Sequence, residues 1–130
     1  MVKKDVVSFD ISEREDHFEV FAQVSLIGND LLVVLSGGNV HIGAIGMADP
    51  RPSLRDSRKI SATSSVFTYI GHKEDVVVKA MSEGLAKRLN KKVVVIAGIH
   101  WDGLKMEEVE IIVELCDRIL KRIIKKVGKK

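Results

Sequence analysis

Apolar positions alternate or form short runs through the first seventy residues, then adopt a spacing of four, so the chain reads as strands followed by helices with one strand between them. Val6–Ile11 is the first strand, reversed through the polar Ser12–His17. From Phe18 to Ile27, Phe18, Val20, Ala22, Val24 and Leu26 point one way while Glu19, Phe21, Gln23 and Ser25 point the other. Gly28-Asn29-Asp30 turns the chain into the apolar run Leu31–Leu35, suited to a central strand, and Gly37-Gly38-Asn39 makes the next turn. Val40–Ala48 is a strand interrupted by Gly43 and Gly46, and Ile60–Ile70 is a long Ser/Thr-rich one.

After Gly71, the apolar residues Val77, Met81, Leu85 and Leu89 line one side of a helix ending near Asn90. Lys92–Gly98 is a β-branched, buried strand. From Met106 to Val127, the positions Val109, Ile112, Cys116, Ile119 or Leu120, Ile123 and Val127 face one way and Glu or Lys the other, the pattern of a long amphipathic helix. The expected fold is α+β, a two-layer sandwich with a mostly antiparallel sheet of about six strands and two helices on one face. The crossover through the first helix is expected to pair Ile60–Ile70 in parallel with Val93–Ala97.

Composition narrows this to a single domain over residues 1–130: 45% of the residues are apolar and 30% charged, enough for one core. No apolar run reaches the roughly 18 residues that cross a bilayer, and MVKKDVVSFD is a poor signal peptide, so a cytoplasmic protein without a membrane partner is expected. The one cysteine, Cys116, excludes an internal disulfide, and the Lys, Glu, Val and Ile bias suits a thermophile. The net charge of +3 is uneven: residues 1–30 carry three basic and seven acidic side chains, residues 31–70 four and two, residues 71–130 fourteen and nine. With few aromatics and no compact basic run outside the last helix, nucleic-acid binding is not expected.

Candidate chemistry centres on three histidines beside glycine, in Val40-His41-Ile42-Gly43, Gly71-His72-Lys73 and Gly98-Ile99-His100. Strand ends of this kind converge on one rim, where glycine admits a flat ligand or a close backbone. The plainer alternative is that each is a half-exposed residue with a local hydrogen bond. Asp49–Lys59, the longest connection, is stiffened by Pro50 and Pro52 and carries Arg51, Arg55, Arg58 and Lys59, which suit a phosphate or simply solvate a loop. Gly71-His72-Lys73 at the start of the first helix offers free N–H groups and a full charge to an anion.

Gly46 and its small neighbours imply closely packed helices, or else a planar ligand lies across Gly43; Trp101 is a ring wall or a cap on the core. No Walker A, GxGxxG or GxSxG pattern is present, and Cys116 falls on an apolar helix face. The remaining catalytic option is a zinc or iron site from His41, His72, His100 and Asp102, without the close His-x-x-x-His spacing that marks such sites.

His41-Ile42-Gly43-Ala44, Pro50-Arg51-Pro52-Ser53-Leu54, Ser61-Ala62-Thr63, Gly71-His72-Lys73-Glu74-Asp75 and Ala97-Gly98-Ile99-His100, taken in order, resemble the prenylated-flavin chaperone family, small accessory subunits of UbiD-type decarboxylases such as gallate decarboxylase. The resemblance covers roughly residues 15–125. It implies a non-catalytic protein that holds prenylated FMN, or FMN, and delivers it to a UbiD-type decarboxylase. It also implies a fold similar to proteasome assembly chaperones and a homodimer. By the same resemblance, Arg51 and Ser53, with His72 and Lys73, would hold the phosphate and ribityl chain. His41, Thr63 and His100 would contact the ring system, with Gly43 leaving room for it. The second expectation is a protein-interaction module of the proteasome-assembly-chaperone kind, in which the histidines are incidental.

Overall fold

The structure is a computed structural model and describes residues 6–69 and 74–128. Its elements are β1 (Val6–Glu15), β2 (Phe18–Ile27), β3 (Asp30–Gly38), β4 (Ala44–Pro52), β5 (Ile60–Thr68), α1 (Asp75–Leu89), β6 (Val93–His100) and α2 (Met106–Val127). The six strands form one sheet in the order β1-β2-β3-β6-β4-β5, antiparallel throughout except for β3 against β6. Both helices lie on one face, α1 over β4, β5 and β6, and α2 over β1 and β2. The expected α+β sandwich is therefore the observed one.

Alternation builds the core. Val20, Ala22 and Val24 of β2, Leu31, Val33 and Leu35 of β3, and Val93, Val95 and Ala97 of β6 are buried against Leu85 of α1 and Leu115, Ile119 and Ile123 of α2. Each large aliphatic side chain taken fully out of water stabilises the fold by about 1.5–3 kcal/mol. Two-residue turns at Asp16-His17 and Gly28-Asn29 fix the β1-β2-β3 register, with Asp16 (φ 57°) and Gly28 (φ 61°) in the left-handed region such turns use. Polar links orient α2 on this meander: Arg122 donates to Glu13 at 2.7 Å and to the Ser12 carbonyl at 2.9 Å, and Arg118 donates to Glu15 at 3.1 Å.

Three expectations need correction. The expected pair, seen among the described residues as β5 and β6, does run in the same direction, but the two do not pair, because β4 lies between them, and Ile70 lies outside the described residues. The most apolar strand, β6, takes the place where both its neighbours are strands, and the Ser/Thr-rich β5 takes the edge. The insertion of β6 between β3 and β4 also moves the start of β4 from Val40 to Ala44. Residues 39–43 must cross the end of β6, so His41 and Gly43 lie outside the strand. Finally, β4 continues to Pro52, which shortens the basic connection to residues 53–59. Pro50 and Pro52 are tolerated because β6 stops pairing at Ala48↔Val93, and β4 beyond that point has a neighbour only in β5.

Gly46 has its explanation in the packing of α1: a Cβ there would stand 2.6 Å from the Val78 carbonyl oxygen. Cys116 is a core residue as expected, and burial pushes its thiol up to about 12.

Candidate functional site

The parallel pair β3 and β6 ends at one rim, where Gly38 lies opposite His100. The Asn39 N–H donates to the His100 carbonyl at 2.9 Å, and residues 39–43 then pass over β6 so closely that a Cβ on Gly98 would meet the His41 carbonyl. Glycine at position 98 thus admits backbone, one of the two uses its sequence context left open. Gly43 closes the crossing by donating to the Ala97 carbonyl at 2.9 Å.

The His41 ring is held at both nitrogens. Nδ1 donates to the Asn39 carbonyl at 2.8 Å, and Nε2 lies 2.8 Å from Oε2 of Glu74, with one proton between them. Glu74 is the N-cap residue of α1, yet its side chain makes no capping bond and turns to His41 instead. That carboxylate is 8% exposed and fills the space above Gly43 that the sequence reserved for a ring. His100 stands 6.3 Å from His41 between ring centroids, edge to face, and its Nε2 lies 2.9 Å from Asp102. Trp101 packs edge-on to Phe18 at 5.2 Å, and a Cβ on Gly37 would lie 2.8 Å from its ring. The indole caps the core, and it also forms one wall of a cavity.

That cavity, of about 540 Å³, opens between the first turns of α1 and α2 and the end of β6. Val77, Ile99, Trp101 and Ile112 give it apolar walls, with Glu74 and His100 as polar groups. Its size and its few convergent polar groups are those of a small-ligand site.

The expected residues fall into two places rather than one. His41, Gly43 and His100 share the rim with Glu74. Arg51, Ser53 and Thr63 do not: β4 runs from Ala44, opposite Ala97, to Ala48, opposite Val93, and on past the far end of β6. Arg51 is seven residues along β4 from Ala44, roughly 23 Å at about 3.3 Å per residue. There its Nε donates to the Thr63 hydroxyl at 2.7 Å, while the Ser53 hydroxyl accepts from the Arg55 N–H at 3.2 Å. Thr63 also lines a groove of about 680 Å³ on the sheet face away from the helices, with Leu32, Met47 and Val94. His72 and Lys73, with Gly71, lie outside the described residues.

Sequence reasoning gave no role to Glu74, although the residue stood in a quoted motif. The signal was the pair Gly43 and Gly98, each marking a close approach by a group from elsewhere in the chain. Among the described residues, no three His, Cys, Asp or Glu side chains converge to hold a metal ion, and no helix is long and apolar enough to cross a membrane.

The sheet order and the one-sided helix pair define a small α+β sandwich with an open sheet face. The chain is similar to one in the crystal structure of a novel chaperone complex for yeast 20S proteasome assembly, with a TM-score of 0.63 and 12% identity over 95% of this chain and 99% of that one, a likeness of fold alone. The chain belongs to the prenylated flavin chaperone LpdD-like family, whose model matches residues 14–128. No curated protein matches it.

Proposed function

We propose that this protein is a non-catalytic, cytoplasmic flavin carrier that holds prenylated FMN, or FMN, for a UbiD-type decarboxylase, and that it works as a homodimer. Within a family of prenylated flavin chaperones, the observation that carries this reading is the apolar rim cavity of about 540 Å³ with His100, Glu74 and Trp101 on its walls. The residues fit the group's ring end. A flat, largely apolar ring system with carbonyl and N–H groups on its edge needs aromatic and aliphatic walls and a few polar partners, and the cavity supplies both. Prenylated FMN, when bound, brings the chemistry its client enzyme uses; this chain's part is to bind, orient and shield it.

The phosphate end calls for cations, and none lines the cavity among the described residues. His72 and Lys73, immediately before Glu74 in sequence, are the proposed phosphate residues. Arg51, Ser53 and Thr63 are the proposed second anion-binding group, at the far end of the same sheet. His41 is proposed to act on the ring through its hold on Glu74, and Gly43 to leave the room that this carboxylate now occupies.

Titrating purified protein into FMN or prenylated FMN is expected to quench flavin fluorescence with saturation at one flavin per chain or per dimer. Unchanged fluorescence at high protein concentration overturns the cargo assignment. The fold likeness favours one other reading, a module that assembles with protein partners and carries no flavin. Co-purification with proteasome subunits that is unaffected by replacing His41, His72 and His100 with alanine, together with no flavin binding, would select it.

A further inference from the structure

The sheet face opposite the helices carries no charge in its central rows, in a chain that is 30% charged. Between Phe21 of β2 and Phe67 of β5, its central rows are Gln23, Val34, Ile96, Ile45 and Phe67, and next to them Ser25, Leu32, Val94, Met47 and Ser65. Charge stands at its margins: Asp10, Arg14 and Glu19 on β1 and β2, Asp30 and Lys92 beside the starts of β3 and β6, and Asp49 and Arg51 on β4. Phe67 is 58% exposed, Met47 51% and Phe21 50%, so three large apolar side chains of this face stand open to solvent.

The relief of this face is polar in the geometric sense, with different ends. Phe21, Phe67 and Tyr69 stand at the end nearest Ala97 and Gly98, and the rings of Phe67 and Tyr69 touch edge to face at 5.1 Å between centroids. The groove of about 680 Å³ lies at the other end, around Leu32, Met47, Ser65 and Val94, with Asp30, Asp49 and Lys92 also in its lining. A surface with projecting rings at one end and an apolar hollow at the other is complementary to a copy of itself turned end for end.

We infer that a second copy of this chain covers the open sheet face, with its strands roughly antiparallel to the first, so that the Phe67–Tyr69 pair of each copy enters the groove of the other. This rests on the homodimer proposed above and names its surface. Charge favours this occupant, because the uncharged central rows lose least when they meet a strip equally uncharged, with the charged side chains left at the margins. Area is adequate. Six strands about 4.8 Å apart, over about six residues each, give a footprint on the order of 25 by 20 Å. Side-chain relief raises the accessible area of such a footprint toward the ~800 Å² per partner of a stable complex. The two sheets would stack about 10 Å apart, as packed sheets do. One consequence concerns the divided site: the Arg51–Thr63 end of each copy comes to lie at the histidine end of the other.

Light scattering on flavin-free protein tests the surface separately from the cargo, since a failed dimer here leaves the titration with FMN untouched. The expected result is a dimer for the parent chain and for Val113→Lys, a change on the exposed side of α2, but a folded monomer by circular dichroism for Met47→Lys. A monomeric parent chain, or a Met47→Lys dimer as tight as the parent, overturns the proposal. Should Met47→Lys fail to fold, Phe67→Ser, which only trims an exposed ring, is expected to raise the dimer dissociation constant at least tenfold. Orientation is read by a short bismaleimide: Phe67→Cys copies mixed with Leu32→Cys copies are expected to cross-link, and Phe67→Cys copies alone are not. The reverse outcome overturns the end-for-end arrangement.

Discussion

A single carboxylate decides much of the local structure at the rim. Glu74 is buried at the start of α1, with the His41 ring 2.8 Å away as one of its partners, and that contact fastens the crossing segment to the helix. His41→Ala is therefore expected to lower stability by about 1–3 kcal/mol, read from urea unfolding, because a buried acceptor loses a hydrogen-bond partner. Glu83 on α1 gives a different signature. The Lys79 ammonium, and then the Ser64 hydroxyl, hold its carboxyl below the usual carboxylate range. A carboxyl depressed in the folded state contributes stability that is complete above its ordinary value of 4.5 and is lost as pH falls through the lower folded value. Lys79→Ala is expected to lower stability slightly at pH 9 and to leave it unchanged at the acid end, so that this limb flattens, the contribution being small because both partners are partly solvated. An acid limb identical in the variant would count against the assignment. Cys116, with its thiol pushed up to about 12, is expected to resist thiol reagents at pH 8 until the protein unfolds.

Among elements, close packing separates Gly46 of β4 from Gly84 of α1. On Gly46 a Cβ meets the α1 backbone at Val78, which has no flexible end to move, so Gly46→Ala is expected to cost about 1–3 kcal/mol. On Gly84 a Cβ reaches only the Leu120 methyls at 3.5 Å, an ordinary contact, and Gly84→Ala is expected to stabilise the protein by about 0.5–1 kcal/mol through helix propensity. Thermal unfolding of the two variants checks the opposite signs. Periodicity made β2, β3, β6, α1 and α2 legible, since alternation and four-residue spacing are properties of neighbouring positions. The place of β6 between β3 and β4 was not legible, because pairing joins Val33 to Val95, 62 positions apart, and no local pattern records it. That one insertion accounts for the displaced start of β4, for the position of His41 off the strand, and for the close approaches at Gly43 and Gly98. The Arg51 and histidine motifs were each visible in sequence, but their separation follows from how far β4 runs past β6, and the two prolines concealed that the strand continued.

At the scale of the whole molecule, the division of the candidate site makes its two ends separable by experiment. The rim near His100 and Trp101 is walled by apolar side chains, so what it contributes to flavin binding is burial and ring contact, which salt scarcely screens. Arg51, by contrast, is a partly exposed guanidinium whose Nε donates to Thr63 and whose Nη1 donates to the Pro52 carbonyl, just before a loop carrying Arg55, Arg58 and Lys59. Its attraction for a phosphate is electrostatic and is screened over about 10 Å at 0.1 M salt. Trp101→Ala, made with stability monitored, is expected to weaken FMN binding and to reduce the quenching of bound flavin, with the dependence of affinity on salt unchanged. Arg51→Ala is expected to leave quenching at saturation unchanged, to raise the dissociation constant about tenfold at low salt, equivalent to about 1.4 kcal/mol, and to lessen the salt dependence. If Arg51→Ala binds FMN as the parent chain does at low salt, the phosphate is held by His72 and Lys73 alone. If both variants alter quenching and salt dependence together, ring and phosphate lie in one compact pocket, and the roughly 23 Å between the two groups along a single chain rules that out unless the second copy closes the distance. Repeating the Arg51→Ala titration on the Met47→Lys monomer then decides: an effect of Arg51 present in the dimer and absent in the monomer means that the guanidinium acts across the interface.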